Sequence, residues 1–126
     1  MTEEEKIIYP DLSYELVGLL FETHNNLGRY CKEKQYGDYL EQLLKENSFS
    51  YKREFVLPKS FKGEKKGRNR VDFLIEGKII IEMKVCRRLS KKDYYQTKRY
   101  LEATNKKLAL LVNFRKKNLA PKRILN

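Results

Sequence analysis

The segment Val71-Asp72-Phe73-Leu74-Ile75-Glu76-Gly77-Lys78-Ile79-Ile80-Ile81-Glu82-Met83-Lys84 constrains this chain more than any other. Two runs rich in Ile, Val and Phe flank Glu76-Gly77, which predicts two antiparallel strands joined by a tight connection. Both runs are apolar enough to be buried, yet they carry Asp72, Glu82 and Lys84. A buried carboxylate is costly unless it is paired or holds a cation, so two of them with a lysine point to a cation site. Glu82 and Lys84 share one face of their strand, and Ile79, Ile81 and Met83 share the other. A two-residue turn at Glu76-Gly77 would set Asp72 opposite Ile81 and turn its carboxylate away from Glu82. A three-residue loop or a bulge shifts the pairing by one residue and brings Asp72 opposite Glu82, within reach of one divalent ion; that register is the expectation.

At 126 residues the chain is read as one domain, residues 1–126, with room for a single core. A helix is expected from about Leu12 to Asn26, its stripe made by Leu16, Val17, Leu20, Phe21, His24 and Leu27, with Asp11 or Ser13 as cap and Gly28 as stop. A second helix from about Lys32 to Asn47 should bury Tyr36, Leu40, Leu43 and Leu44. Ser50 to Leu57 alternates as a strand, and Pro58 opens a charged connection through Arg70 to the hairpin. Ser90 caps a helix to about Thr104, Lys107 to Phe114 is a buried apolar strand, and Lys122 to Leu125 is a short last one. This order gives an α/β fold: a mixed central sheet flanked by helices, two of them ahead of it, with the Ser90 helix as crossover.

Lys and Arg total 28 against 17 Asp and Glu, a formal charge of +11. Such an excess predicts a polyanion as partner, a phosphate backbone or an anionic membrane surface. No apolar stretch approaches the roughly 20 residues that span a bilayer, and Thr2-Glu3-Glu4-Glu5 is too acidic for a signal peptide, so no membrane is expected. Cys31 and Cys86 form no CxxC pair, which argues against a thiolate zinc site and for free thiols in a cytoplasmic setting.

Asp72 followed by Glu82-x-Lys84 resembles the signature of the PD-(D/E)XK nuclease superfamily. The chain as a whole, from about Leu12 to Asn126, resembles the small GxxExxY group within it. The residues that carry this are Glu22-x-His24 before Leu27-Gly28, Glu33-x-x-Tyr36, the Asp72 hairpin, Gln96-x-x-x-Tyr100-Leu101 and Leu110-Leu111-Val112-Asn113-Phe114. Two positions depart from the patterns: Tyr30 stands where the group's glycine would be, and Val71 where the superfamily's proline would be. The resemblance implies a restriction-endonuclease-like core and a nuclease dependent on Mg²⁺ or Mn²⁺, with DNA ahead of RNA as substrate. Asp72 and Glu82 would hold the ion and the Met83 carbonyl would complete the protein ligands, while Lys84 would position the attacking water.

Four further residues are candidates. Glu33 continues the apolar face of its helix and is expected to point inward as a third carboxylate, although a first-turn glutamate also serves the helix dipole. His24, the one histidine, lies on an apolar stripe and is either a core residue or, as in nucleases of the RecB type, an added metal ligand. Gln96 and Tyr100 share a helix face, and the resemblance sets them beside Lys84; ordinary packing for Tyr100 and solvent for Gln96 is the alternative. Glu22, on the opposite side of its helix, is read as solvated. Lys62, Lys65, Lys66, Arg68 and Arg70, loosened by Gly63 and Gly67, are expected to meet backbone phosphates at the cleft rim. The nine tyrosines offer stacking surface to bases where they border the cleft. Two other readings remain open: a catalytically idle module that binds nucleic acid or protein, and a structure-selective junction nuclease acting as a two-fold homodimer.

Overall fold

A computed structural model describes residues 8–126; the acidic start Thr2–Glu5 lies outside them. Three helices, α1 (Pro10–Leu27), α2 (Glu33–Glu46) and α3 (Lys91–Thr104), accompany five strands, β1 (Tyr51–Val56), β2 (Arg70–Ile75), β3 (Ile79–Lys84), β4 (Leu108–Asn113) and β5 (Lys122–Leu125). The strands form one sheet in chain order, β1-β2-β3-β4-β5. Neighbours are antiparallel except β3 and β4, which run parallel and are bridged by α3 as the crossover requires.

The sheet is covered on both faces. On one, α1 and α2 press Leu16, Leu20, Tyr36, Leu40 and Leu44 onto Phe73, Ile79, Ile81, Leu110 and Val112. On the other, Tyr100 and Leu101 of α3 meet Leu74, Ile80, Ala109, Leu111 and Ile124. All six residues of β4 are consequently buried, which is why that strand reads as a continuous apolar run rather than an alternating one.

Helix ends differ in how they are made. α3 carries a capping box: Ser90 Oγ accepts from the Asp93 amide at 3.3 Å, and Asp93 Oδ2 accepts from the Ser90 amide at 2.9 Å. α1 begins at Pro10, whose fixed φ suits a first helical position, so neither Asp11 nor Ser13 caps it. Its cap position is Tyr9, at φ 47°, and Ser13 donates back to the Pro10 carbonyl at 3.3 Å. Phe21, expected on the apolar stripe, is 39% exposed; Leu19 and Thr23 are buried instead. Gly28 ends α1 at φ 77°, a conformation that favours glycine. Among the described residues no helix is long and apolar enough to cross a membrane.

Candidate active site

The β2–β3 connection is the three-residue loop Glu76-Gly77-Lys78, with Ile75 paired to Ile79, Leu74 to Ile80 and Phe73 to Ile81. Continued by one residue, that register puts Asp72 across from Glu82. There the ladder stops and side chains replace it. The Asp72 amide donates to Glu82 Oε1 at 2.9 Å, and the Met83 amide donates to Asp72 Oδ2 at 2.7 Å. The two strands thus part at a fork whose gap is filled by the two carboxylates. In an extended strand a residue's N–H and C=O face the same neighbour, so the Met83 carbonyl opens toward the fork as its amide does.

The fork has a cause on the far side of β2. The β1–β2 ladder pairs Arg53 with Phe73 and Phe55 with Val71 but skips Glu54, which sits at φ 52°. Residues two apart on a strand normally share a face. Here Phe73 belongs to the core under α1 and α2, with Arg53 stacked on it at 5.6 Å, whereas Val71 and Phe55 belong to the core under α3. The left-handed residue and Asp72 occupy the unpaired position of this ladder, where both strands change faces. An L residue in that region costs roughly 1–2 kcal/mol, more if β-branched. Glu54→Gly is therefore expected to keep the fork and stabilise the protein by about 1 kcal/mol, and Glu54→Val to destabilise it by roughly 1–3 kcal/mol. Urea denaturation of both variants is the check, and equal midpoints would remove the strained backbone from the account.

A cleft of about 430 Å³ opens at the fork, lined by Glu33, Lys34, Arg53, Glu54, Asp72 and Met83. Glu33 reaches it as the first residue of α2. It is exposed at the mouth rather than turned inward as its helical spacing suggested, because position 33 precedes the stretch of α2 that packs on the sheet. Tyr36 fixes this helix start: its hydroxyl donates to the Gly28 carbonyl at 2.6 Å and accepts from the Cys31 amide at 3.2 Å, while its ring stacks on Phe114 at 4.3 Å. Arg53 is held by Asp38 at 2.7 Å and Glu41 at 3.1 Å.

Glu82 and Lys84 lie on the α3 side, as their strand parity requires. Glu82 is 5% exposed, and Lys84 Nζ stands 3.9 Å from Asp93 Oδ1. Burial first, then the charges of Asp72 and Glu33, push the Glu82 carboxyl up to about 8. Burial also raises Asp72, against the Met83 amide and the Lys84 charge, which draw it down. Glu33 is raised by partial burial of its carboxyl and by Asp72. The buried pair titrates as one group that holds a proton more tightly than two separate carboxylates would. Tyr100 is buried near this charge, its hydroxyl raised by burial and by Glu82.

Not every expected donor converges. His24 places Nε2 2.8 Å from the Lys116 carbonyl, with its ring 6.3 Å from Phe114, so it ties α1 to the turn after β4. Gln96 lines a separate shallow groove along α3 with Lys91, Lys92, Asp93, Tyr95 and Arg99. Glu22 is exposed. Among the described residues no group of three or more His, Cys, Asp or Glu side chains stands ready to cage a metal ion. Asp72 Oδ2 and Glu82 Oε1 are each turned onto a backbone amide. The basic connection is more ordered than its glycines suggested. Glu64, 7% exposed, accepts from the Ser60 amide at 2.7 Å and from Asn69 at 3.3 Å, and Arg68 lies 3.9 Å from it.

Two residues of the site escaped the sequence reading. Glu54 falls at an outward position of an alternating strand, and nothing in the sequence marks its left-handed backbone. Asp93 was legible as the fourth residue of Ser90-x-x-Asp93, a capping-box pattern, but its approach to Lys84 is tertiary.

The sheet is mixed and forks around two carboxylates, with a lysine two residues after the second. The chain belongs to the PD-(D/E)XK nuclease superfamily, whose family model matches residues 10–124. Neither a curated protein nor a solved structure gives a match.

Proposed function

We propose that this chain is a one-domain, divalent-metal-dependent nuclease of the GxxExxY group that hydrolyses phosphodiester bonds of DNA in the cytoplasm. The observation that carries the reading is the fork: Asp72 and Glu82 face each other across the parted strands, with Lys84 beside them and Glu33 at the cleft mouth. The donor set fits a hard divalent cation. All the oxygens are carboxylate or carbonyl; burial raises both carboxyls, and the Asp72 charge raises Glu82 further, a strain that a dication relieves. Asp72, Glu82 and the Met83 carbonyl, with Glu33 as a further carboxylate, would hold Mg²⁺ or Mn²⁺, which when bound would supply positive charge at the scissile phosphate and acidify the attacking water. Lys84 donates to that water and to the charge growing on the phosphate oxygens, and Asp93 keeps its ammonium from turning away. Tyr100 backs Glu82 from α3, with Gln96 one turn earlier as a contact for the strand. His24 stays outside this set because its partners are Lys116 and Phe114.

Lys62, Lys65, Lys66, Arg68 and Arg70 supply contacts to the phosphate backbone. Replacing Lys62, Lys65, Lys66 and Arg68 together with alanine is expected to weaken DNA binding alike for all sequences. The salt dependence of binding should fall by roughly 0.9 in slope per lost contact. Binding measured over a salt series tests this, and an unchanged slope would take the loop out of the interface.

One observation favours a second reading, an idle binding module: the carboxylates are engaged with backbone amides and form no ready cage among the described residues. Incubating the protein with labelled single-stranded, duplex and branched DNA and with RNA, in Mg²⁺, Mn²⁺ or EDTA, separates the two. Metal-dependent cutting supports the nuclease, and salt-sensitive binding without cutting supports the module.

A further inference from the structure

Where the α1–α2 loop meets the turn after β4, two arginines clasp one exposed tyrosine. Arg29 Nε donates to the Arg115 carbonyl at 2.9 Å, and Arg115 Nε donates to the Arg29 carbonyl at 3.1 Å. Both guanidiniums lie over the Tyr30 ring, at 5.1 Å for Arg29 and 5.8 Å for Arg115. Tyr30 is nevertheless 76% exposed, so most of its ring faces solvent. Packing alone gives a domain no reason to hold an uncovered aromatic beside two cations. No ion pair joins either arginine to an acidic side chain among the described residues, so both guanidinium charges remain available to an anionic ligand.

The clasp is anchored to the strand that carries Lys84. The Arg115 amide donates to Asn113 Oδ1, which also accepts from the Cys86 amide, each at 3.1 Å. Between them the Phe114 amide donates to the Lys84 carbonyl at 2.9 Å. On the other side, Glu33 follows Tyr30 by three residues. The clasp is thus tied to the backbone at Lys84, two residues past Glu82, and precedes by three residues Glu33, which lines the cleft.

We propose that Tyr30, with Arg29 and Arg115, is a stacking platform for an unpaired base of single-stranded DNA. An aromatic face takes any base, and paired guanidiniums hold the phosphate next to it. The platform sets a base beside the fork, so it favours strands with accessible bases over intact duplex. This inference rests on the nuclease reading above, because the platform needs a nucleic acid to serve.

Binding in EDTA, where cutting cannot interfere, tests it with two probes: labelled oligothymidylate and an abasic oligomer with the same number of phosphates. Wild type should prefer oligothymidylate by about tenfold or more. Tyr30→Ala should lose that preference and Tyr30→Phe should keep it, with thermal melting unchanged in both since the ring is exposed. Arg115→Lys, which keeps the charge and loses the planar guanidinium, should weaken binding to both oligomers. A Tyr30→Ala protein that prefers oligothymidylate as strongly as wild type overturns the platform and leaves the nuclease intact. Wild type that binds neither probe, or binds both alike, overturns the platform, while the nuclease reading stands or falls on the cleavage assay above.

Discussion

Asp72→Ala and Lys84→Ala should each abolish or nearly abolish cleavage while leaving DNA binding within a few-fold of wild type. The two residues contribute in different ways. Asp72 would offer a carboxylate to the cation and, through Oδ2, accepts from the Met83 amide where the β2–β3 ladder has ended. Its loss removes a ligand and lets the fork relax. Lys84 supplies charge that matters only as the phosphate reacts, so its removal should cost roughly 10²- to 10³-fold in rate with little change in affinity. On this reading affinity resides chiefly in the basic loop, which neither substitution touches, and in a net charge of +11 that each changes by a single unit. Single-turnover cleavage and equilibrium binding measured on the same preparations separate the two effects. Cleavage that survives either substitution would mean that the chemistry lies elsewhere.

Glu82 makes the metal-free protein less stable as the solution becomes more alkaline. Its carboxyl is pushed up to about 8 in the folded chain from an ordinary 4.5, and it is 5% exposed. The folded state therefore binds a proton that the unfolded state has already released. The stability linked to that proton is fully present below about pH 4.5 and is lost as pH rises through about 8. Glu82→Gln keeps an oxygen to accept from the Asp72 amide and removes the titration. In EDTA at pH 8 it should be more stable than wild type by roughly 2–5 kcal/mol, because each tenfold gain in proton affinity on folding is worth about 1.4 kcal/mol, and the gap should shrink toward about pH 5. Urea denaturation at the two pH values measures it. A gap of the same size at both would mean that packing, not charge, is what the substitution changed. The same variant should not cut DNA, so a more stable protein would be an inactive one.

The hairpin register was legible because a two-residue turn fails one of two demands that a three-residue loop or a bulge meets, and the structure takes the loop. The apolar residues must face the cores, and Asp72 must meet Glu82. Two helix ends that carry a sequence signal were also legible, the start at Ser90 by its capping box and the stop at Gly28. What escaped was set by tertiary packing. Glu54 adopts a left-handed conformation that no propensity favours, because β1 and β2 must turn over where the carboxylates are lodged. Glu33 looked inward on a helical wheel, yet a wheel cannot tell that the first turn of α2 overhangs the end of the sheet. His24 kept its place on the apolar face, but its partner, the Lys116 carbonyl, lies 92 residues away in sequence. The glycines of the basic connection suggested looseness, and buried Glu64 organises it instead. Glu64 is held by near neighbours in sequence, Ser60, Arg68 and Asn69, whereas the surroundings of Glu54 and His24 come from distant segments; the element order and the sheet followed from local pattern.

The most direct test of the fork as a metal site is the binding of Mn²⁺, followed by the loss of its free-ion electron paramagnetic resonance signal. Wild type is compared with the double variant Asp72→Asn, Glu82→Gln, which preserves size and hydrogen-bonding oxygens. Saturable binding by wild type that is lost in the double variant is the predicted result. Equal binding by both proteins, or none by wild type even with DNA present, would contradict the account.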